Sequence, residues 1–196
     1  MKIDIYYGLM GVLKGTTIEN LVKKNPRLKV LKTANKSWKY YENSIYRGLI
    51  QYNDLNLAIQ HLVRLGEFIQ RNSGSDIIVE RGITDYLFYY WHEPKSLCCG
   101  MPEEETVIEN SIEAEDNLVK DYTKQKILLV MKDTNFVKSK VLTNQYRQNF
   151  SSLDQYFKKQ EEYINFTKKY NKIDKTIEIV DAKDYIENIL GEKYIN

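Results

Sequence analysis

Near the amino terminus the chain reads Gly8-Leu9-Met10-Gly11-Val12-Leu13-Lys14-Gly15-Thr16-Thr17, a mixture of glycines, one lysine and two hydroxyl side chains. That mixture suits an anion. Glycines let consecutive backbone N–H groups curl around charged oxygens, the lysine adds a point charge, and a helix beginning there offers the positive end of its dipole. A second constellation, Glu80-Arg81-Gly82-Ile83-Thr84-Asp85, sets a carboxylate beside a guanidinium. The carboxylate can take a hydroxyl proton or hold a metal ion, and the guanidinium can balance charge that develops on oxygen. A third stretch is basic: Met131-Lys132-Asp133, then Phe136-Val137-Lys138-Ser139-Lys140, then Gln145-Tyr146-Arg147.

Against the phosphate-loop pattern G-x-x-x-x-G-K-[ST], Gly8 and Lys14 fall on the first glycine and the lysine. Leu13 replaces the second glycine, and Gly15 replaces the hydroxyl residue that would hold magnesium. Thr16 offers a hydroxyl to phosphate or metal if the loop is locally displaced. The same residues also fit an ordinary glycine-containing turn from strand to helix, so the surrounding elements decide how the loop is read.

Five short segments rich in aliphatic and β-branched residues predict strands: Ile3 to Tyr7, Leu28 to Leu31, Asp76 to Glu80, Ile127 to Met131 and Ile177 to Val180. Helical periodicity separates them. Leu55, Ile59, Leu62, Leu65 and Ile69 recur at three- and four-residue steps and predict an amphipathic helix ending near Asn72 to Gly74. Leu153, Tyr156, Phe157, Tyr163, Ile164 and Tyr170 predict a second, capped by Ser151 or Ser152, and Asp181 with Ala182 opens a terminal helix. Strands alternating with helices predict a five-stranded parallel sheet covered on both faces, with the ligand site beyond the carboxyl ends of the strands. The glycine-rich loop follows strand one and the Glu80-Arg81 pair ends strand three, so both belong at that edge. The stretch from His92 to Glu105, with Cys98, Cys99, Gly100, Pro94 and Pro102, reads as a surface excursion.

In that arrangement Glu80-Arg81-Gly82 resembles the (D/E)-R-(G/S) motif of the P-loop nucleoside and nucleotide kinases, a group that includes deoxynucleoside kinases and thymidylate kinase. The resemblance implies a three-layer α/β fold, ATP and magnesium as cofactors, and transfer of phosphate to a nucleoside or nucleoside monophosphate. It puts Gly8, Gly11, Leu13, Lys14, Gly15, Thr16 and Thr17 around the donor phosphates. Glu80 takes the acceptor hydroxyl or the metal, with Thr16 as a second metal ligand, and Arg81 lies near the transferred phosphate. It also implies a lid at 133–150 that supplies Arg147, with Lys138 and Lys140 behind it, and a homodimer. The acceptor pocket falls between strands two and three, where Trp38, Tyr40, Tyr41, Tyr46 and Tyr52 can stack a base and Arg47 or Arg64 can reach an acceptor phosphate.

Bulk properties narrow the alternatives. A chain of 196 residues suits one domain, 1–196. Lys and Arg number 29 against 27 Asp and Glu, a balance that argues against a nucleic-acid surface. Cys98 and Cys99 are adjacent, and with two histidines they do not make a zinc site. No apolar run approaches the roughly 18 residues of a membrane span, so the expected location is the cytoplasm without a membrane partner. Two other readings stay open: a nucleotide-binding module without turnover, acting as a regulatory or structural component, and a phosphotransferase acting on nucleic acid.

Overall fold

The structure is a computed structural model that describes residues 1–9, 11–32, 53–91, 104–142, 150–171 and 177–191. Its strands are β1 (Lys2–Tyr7), β2 (Lys29–Leu31), β3 (Ile77–Val79), β4 (Thr123–Val130) and β5 (Ile177–Asp181). The helices are α1 (Lys14–Lys24), α2 (Asn53–Arg71), α3 (Ile83–Trp91), α4 (Glu104–Val119), α6 (Leu153–Tyr170) and α7 (Ala182–Leu190). Between β4 and α6 lies α5, a single turn (Thr134–Phe136) that continues as a π-helical turn (Val137–Val141). All strand pairs are parallel, in the order β2-β3-β1-β4-β5. This is the α/β architecture expected from the alternating pattern.

β1 is central because it can be buried on both sides. Ile3, Ile5, Tyr6 and Tyr7 are all at most 1% exposed, as a strand covered by helices on both faces requires. Successive side chains point to opposite faces. The Tyr6 hydroxyl accordingly meets the Tyr185 hydroxyl of α7 at 3.1 Å, while the Tyr7 hydroxyl donates to Glu115 of α4 at 2.9 Å. α1 packs beside α7 on the first face. On the second, α6 packs on α3 through edge-to-face aromatic pairs, Phe88 with Tyr163 at 4.8 Å and with Phe166 at 5.6 Å.

Local capping follows the sequence. Ser152 accepts from the Gln155 N–H at the start of α6, and Asp181 accepts from the Lys183 and Asp184 N–H groups at the start of α7. The other Asp181 oxygen accepts from the Lys132 N–H, which ties the ends of β4 and β5 together.

Two expectations are corrected. β4 begins at Thr123 rather than Ile127. Its polar start hides the strand, and Lys126 is fully buried because its ammonium sits 2.5 Å from Asp116 of α4. The inward face of α2 also departs from the apolar stripe at one position: Leu65 and Ile69 are buried and Leu55 and Leu62 pack against the core as expected, but Ile59 is 51% exposed while Ala58 and His61 are buried. His61 turns inward because Glu115 receives it at 2.9 Å. Among the described residues no helix is long and apolar enough to cross a membrane.

Gly82 shows how tightly the end of β3 sits on β1. A Cβ there would lie 2.6 Å from Tyr7 Cζ and 2.8 Å from Ile5 Cγ2, and the Tyr7 ring is pinned through its hydroxyl to Glu115. Gly82→Ala is therefore expected to cost about 1–3 kcal/mol by overpacking. Urea unfolding checks this through a lower midpoint at unchanged slope, and a midpoint equal to the parent's would show that Tyr7 can yield.

Candidate active site

The carboxyl edge of the sheet gathers the loop after β1 and the segment after β3 at one place. Gly8 leaves β1 with φ 148°, and a Cβ there would stand 2.6 Å from Leu129 O of β4 and 2.7 Å from Val12 Cγ2. Only glycine fits both the angle and the space. Gly11 takes φ 89° against Val141 of the π-helical turn. Leu13 then adopts the left-handed conformation, φ 58° and ψ 22°, as the N-cap of α1. That conformation costs a non-glycine residue about 1–2 kcal/mol. It is a conformation that glycine adopts without this cost. α1 has no side-chain cap and no acidic residue in its first turn, so neither offsets the positive end of its dipole.

Lys14 is 8% exposed and turns back under the loop. Its ammonium donates to Gly8 O and to Leu9 O, the latter at 3.3 Å, and pairs with Asp85 Oδ2 at 3.1 Å. Burial lowers its pKa below the ordinary lysine value; Arg81 adds to the lowering, while Asp85 and Glu80 oppose it. Asp85, 2% exposed, also accepts from the Gly8 N–H at 3.1 Å and from the Tyr163 hydroxyl through Oδ1. One carboxylate thus joins the loop, α3 and α6.

Glu80 and Gly15 face each other. A Cβ at Gly15 would lie 3.9 Å from Glu80 Oε1, so the position where the pattern expects a hydroxyl opens toward this carboxylate. Arg81 is half-buried. Burial opposes its charge, but Asp85, Tyr86, Tyr89 and Glu80 outweigh that and hold its pKa above the ordinary arginine value. Thr16 is half-buried in the first turn of α1. The buried Thr17 hydroxyl donates to Leu13 O at 2.9 Å, within the helix. Lys138 and Lys140 are exposed on the π-helical turn, and Arg64 donates to Lys32 O at 3.0 Å. Arg147, Arg47, Trp38, Tyr40, Tyr41, Tyr46, Tyr52 and both cysteines lie outside the described residues.

Among the described residues no three His, Cys, Asp or Glu side chains converge as a metal cage. Magnesium commonly takes one or two carboxylates together with phosphate oxygens and water. Glu80, beside the opening at Gly15, is a carboxylate of the kind such an ion takes.

A second buried carboxylate fixes the segment that carries Glu80 and Arg81. Glu115, 1% exposed, accepts from the Ile83 N–H at 2.8 Å, from the Tyr7 hydroxyl at 2.9 Å, and bonds His61 Nε2 at 2.9 Å. Burial alone would push its carboxyl up, but His61, Lys126 and the Ile83 N–H outweigh burial and hold its pKa below the ordinary 4.5. The periodicity of the sequence gives no role to Glu115 or His61 and marks Tyr163 only as part of an apolar stripe. Their pairing is long-range, and only Asp85 stands within a recognisable run.

No protein-family model matches the chain, and no curated protein matches it in sequence. Solved structures do match. Deoxyadenosine kinase from M. mycoides, with bound dCTP, superposes with a TM-score of 0.56 at 20% identity over 97% of both chains. Thymidylate kinase from Candida albicans superposes at 0.54 with 16% identity, covering 96% of this chain and 89% of that one. The YorR protein of Bacillus subtilis, in complex with phosphorylated GDP, gives 0.53 with 12% identity, covering 96% and 94%. The chain has the fold of the nucleoside and nucleotide kinases. At these identities the similarity establishes architecture, and the roles of individual residues rest on the geometry above.

The depressed pKa of Glu115 makes a prediction about acid. Its carboxylate is better accommodated in the native chain than in the unfolded one, so it adds stability above pH 4.5 that is lost as pH falls through the lower native pKa. Glu115→Gln should be less stable by about 3–5 kcal/mol at pH 7 and should lose less on acidification. Circular dichroism against pH compares the two, and parallel acid limbs would remove Glu115 as the responsible group.

Proposed function

We propose that the protein is an ATP-dependent phosphotransferase whose acceptor is a nucleoside or nucleoside monophosphate. The observation that carries the reading is the loop itself: a left-handed turn ending at the start of α1, with Lys14 in register and Glu80 facing it across Gly15. In this reading Gly8, Gly11, Leu13 and Gly15, with Thr16 and Thr17, surround the donor phosphates and Lys14 balances their charge. Glu80 takes the proton of the acceptor hydroxyl or a place on the metal, and Arg81 stabilises charge on the transferred group. The acceptor oxygen bonds to the γ-phosphorus in line as the bond to the bridging oxygen breaks and ADP leaves. Magnesium, when bound, neutralises charge on the phosphates. Residues 1–196 act as one domain in this reading, with a lid at 133–150 supplying Arg147.

A second reading, a nucleotide-binding module without turnover, is favoured by two observations: the glycine at position 15 and a lysine turned toward the loop carbonyls and paired with Asp85. The two readings share ATP binding and differ in turnover. A ligand at about 100 times its dissociation constant stabilises a fold by about 2.7 kcal/mol, so ATP with magnesium should raise the melting temperature in both. Glu80→Gln is expected to lower phosphorylation of nucleosides and nucleoside monophosphates by about 100-fold or more while preserving the thermal shift. Lys14→Ala should diminish both. Rates for these variants within a few-fold of the parent would remove the catalytic assignment. Gly15→Ser adds a hydroxyl toward Glu80 and is expected to enlarge the magnesium-dependent part of the ATP shift; an unchanged magnesium dependence would separate position 15 from the metal.

A further inference from the structure

Lys14 donates to Gly8 O and to Leu9 O, the latter at 3.3 Å, and its ammonium charge is paired with Asp85 Oδ2 at 3.1 Å without a hydrogen bond. A phosphate oxygen that engages Lys14 has to share the ammonium charge with these partners or replace one of them. The two carbonyls belong to the loop backbone and are neutral. Asp85 carries a charge of the same sign as the phosphate, and at 2% exposure water screens it little. It is the partner that an incoming phosphate both replaces and is repelled by.

Asp85 is also fixed independently of Lys14. Its Oδ1 accepts from the Gly8 N–H at 3.1 Å and from the Tyr163 hydroxyl, and only Oδ2 faces the lysine. Tyr163 is held in turn by the aromatic seam with Phe88. The carboxylate therefore stays beside the loop whether or not Lys14 is turned toward it. Among the described residues, Arg81 and Glu80 also act on Lys14 through their charge, in opposite directions.

We propose that Asp85 is a positioning residue for phosphate recognition, competing with the donor phosphates for Lys14 and so setting how tightly the loop holds them. This rests on the reading of the loop as the donor-phosphate site. Phosphate enters by taking the place of Asp85 on the ammonium, and the lysine returns to the carboxylate when the phosphate leaves. Tyr163 tunes the competition, because its hydroxyl draws charge on Asp85 toward Oδ1.

Two isosteric changes separate this role from a structural one. In Asp85→Asn the amide oxygen keeps the Gly8 N–H and Tyr163 bonds, while the amide NH2 cannot accept from Lys14. In Tyr163→Phe the carboxylate keeps Lys14 and loses a donor. Isothermal titration with tripolyphosphate and with ATP should show Asp85→Asn binding about 10-fold or more tighter than the parent, and Tyr163→Phe binding more weakly by a few-fold. Urea unfolding establishes that each variant is folded, and a purely structural carboxylate would give weaker binding with lowered stability. If the parent binds and Asp85→Asn binds equally or more weakly, the competition is overturned while the donor-site reading stands. If only Asp85→Asn binds, the proposal is supported and the parent loop is one held closed. If no form binds either anion, the donor-site reading falls and the proposal with it. Should Asp85→Asn not fold, Tyr163→Phe decides: weaker binding supports the proposal, and equal or tighter binding overturns it.

Discussion

The site depends on a buried carboxylate that touches three parts of the chain at once. Asp85 accepts from the Gly8 N–H, receives the Tyr163 hydroxyl and pairs with Lys14, so the loop after β1, the start of α3 and the middle of α6 share one charge. An unpaired charge at this depth would cost several kcal/mol. Each of the three segments is consequently constrained by the other two. The turn at Gly8 keeps its N–H aimed at the carboxylate, α6 keeps its aromatic face toward α3, and Lys14 is folded under the loop instead of extending into solvent.

Glu115 performs a related task one turn away. It fastens the Ile83 N–H and the Tyr7 hydroxyl while pairing with His61 of α2. Glu80, Arg81 and Gly82 are thereby suspended between two fixed points, the end of β3 and the Glu115-bound start of α3. Such support holds Glu80 and Arg81 in place, as the proposed phosphoryl transfer would require, because groups held in place do not reorganise as charge moves. Lys126 and Asp116 extend the same buried network along β4 and α4, which explains why so central a strand contains a lysine.

Leu13 and Gly15 depart from the phosphate-loop pattern in physically different ways. At Leu13 the backbone holds a left-handed turn that glycine would adopt without strain, so the departure is one of backbone energy. At Gly15 the backbone is ordinary helix and what is missing is a side-chain oxygen, which the fold cannot restore. Glu80 is the carboxylate left facing the gap.

The sequence by itself determined the five strands, the helices α1, α2, α6 and α7 and the register of Lys14, because those follow from local periodicity, glycine placement and capping residues such as Ser152 and Asp181; it did not mark α3 or α4. It also marked Glu80 and Arg81, since strand three ends there and parallel strands gather at one edge. It misjudged the start of β4 and the inward face of α2, where Lys126 and His61 are buried by partners in α4 that no periodicity can reveal. Tertiary structure alone decided that Lys14 faces Asp85, that Tyr163 serves that carboxylate as well as the aromatic core, and that Gly15 opens toward Glu80. Each of these joins residues distant in the chain. The physical reason is that burial makes such pairings compulsory: once packing removes water, every charge must find its counterpart wherever the fold has placed it.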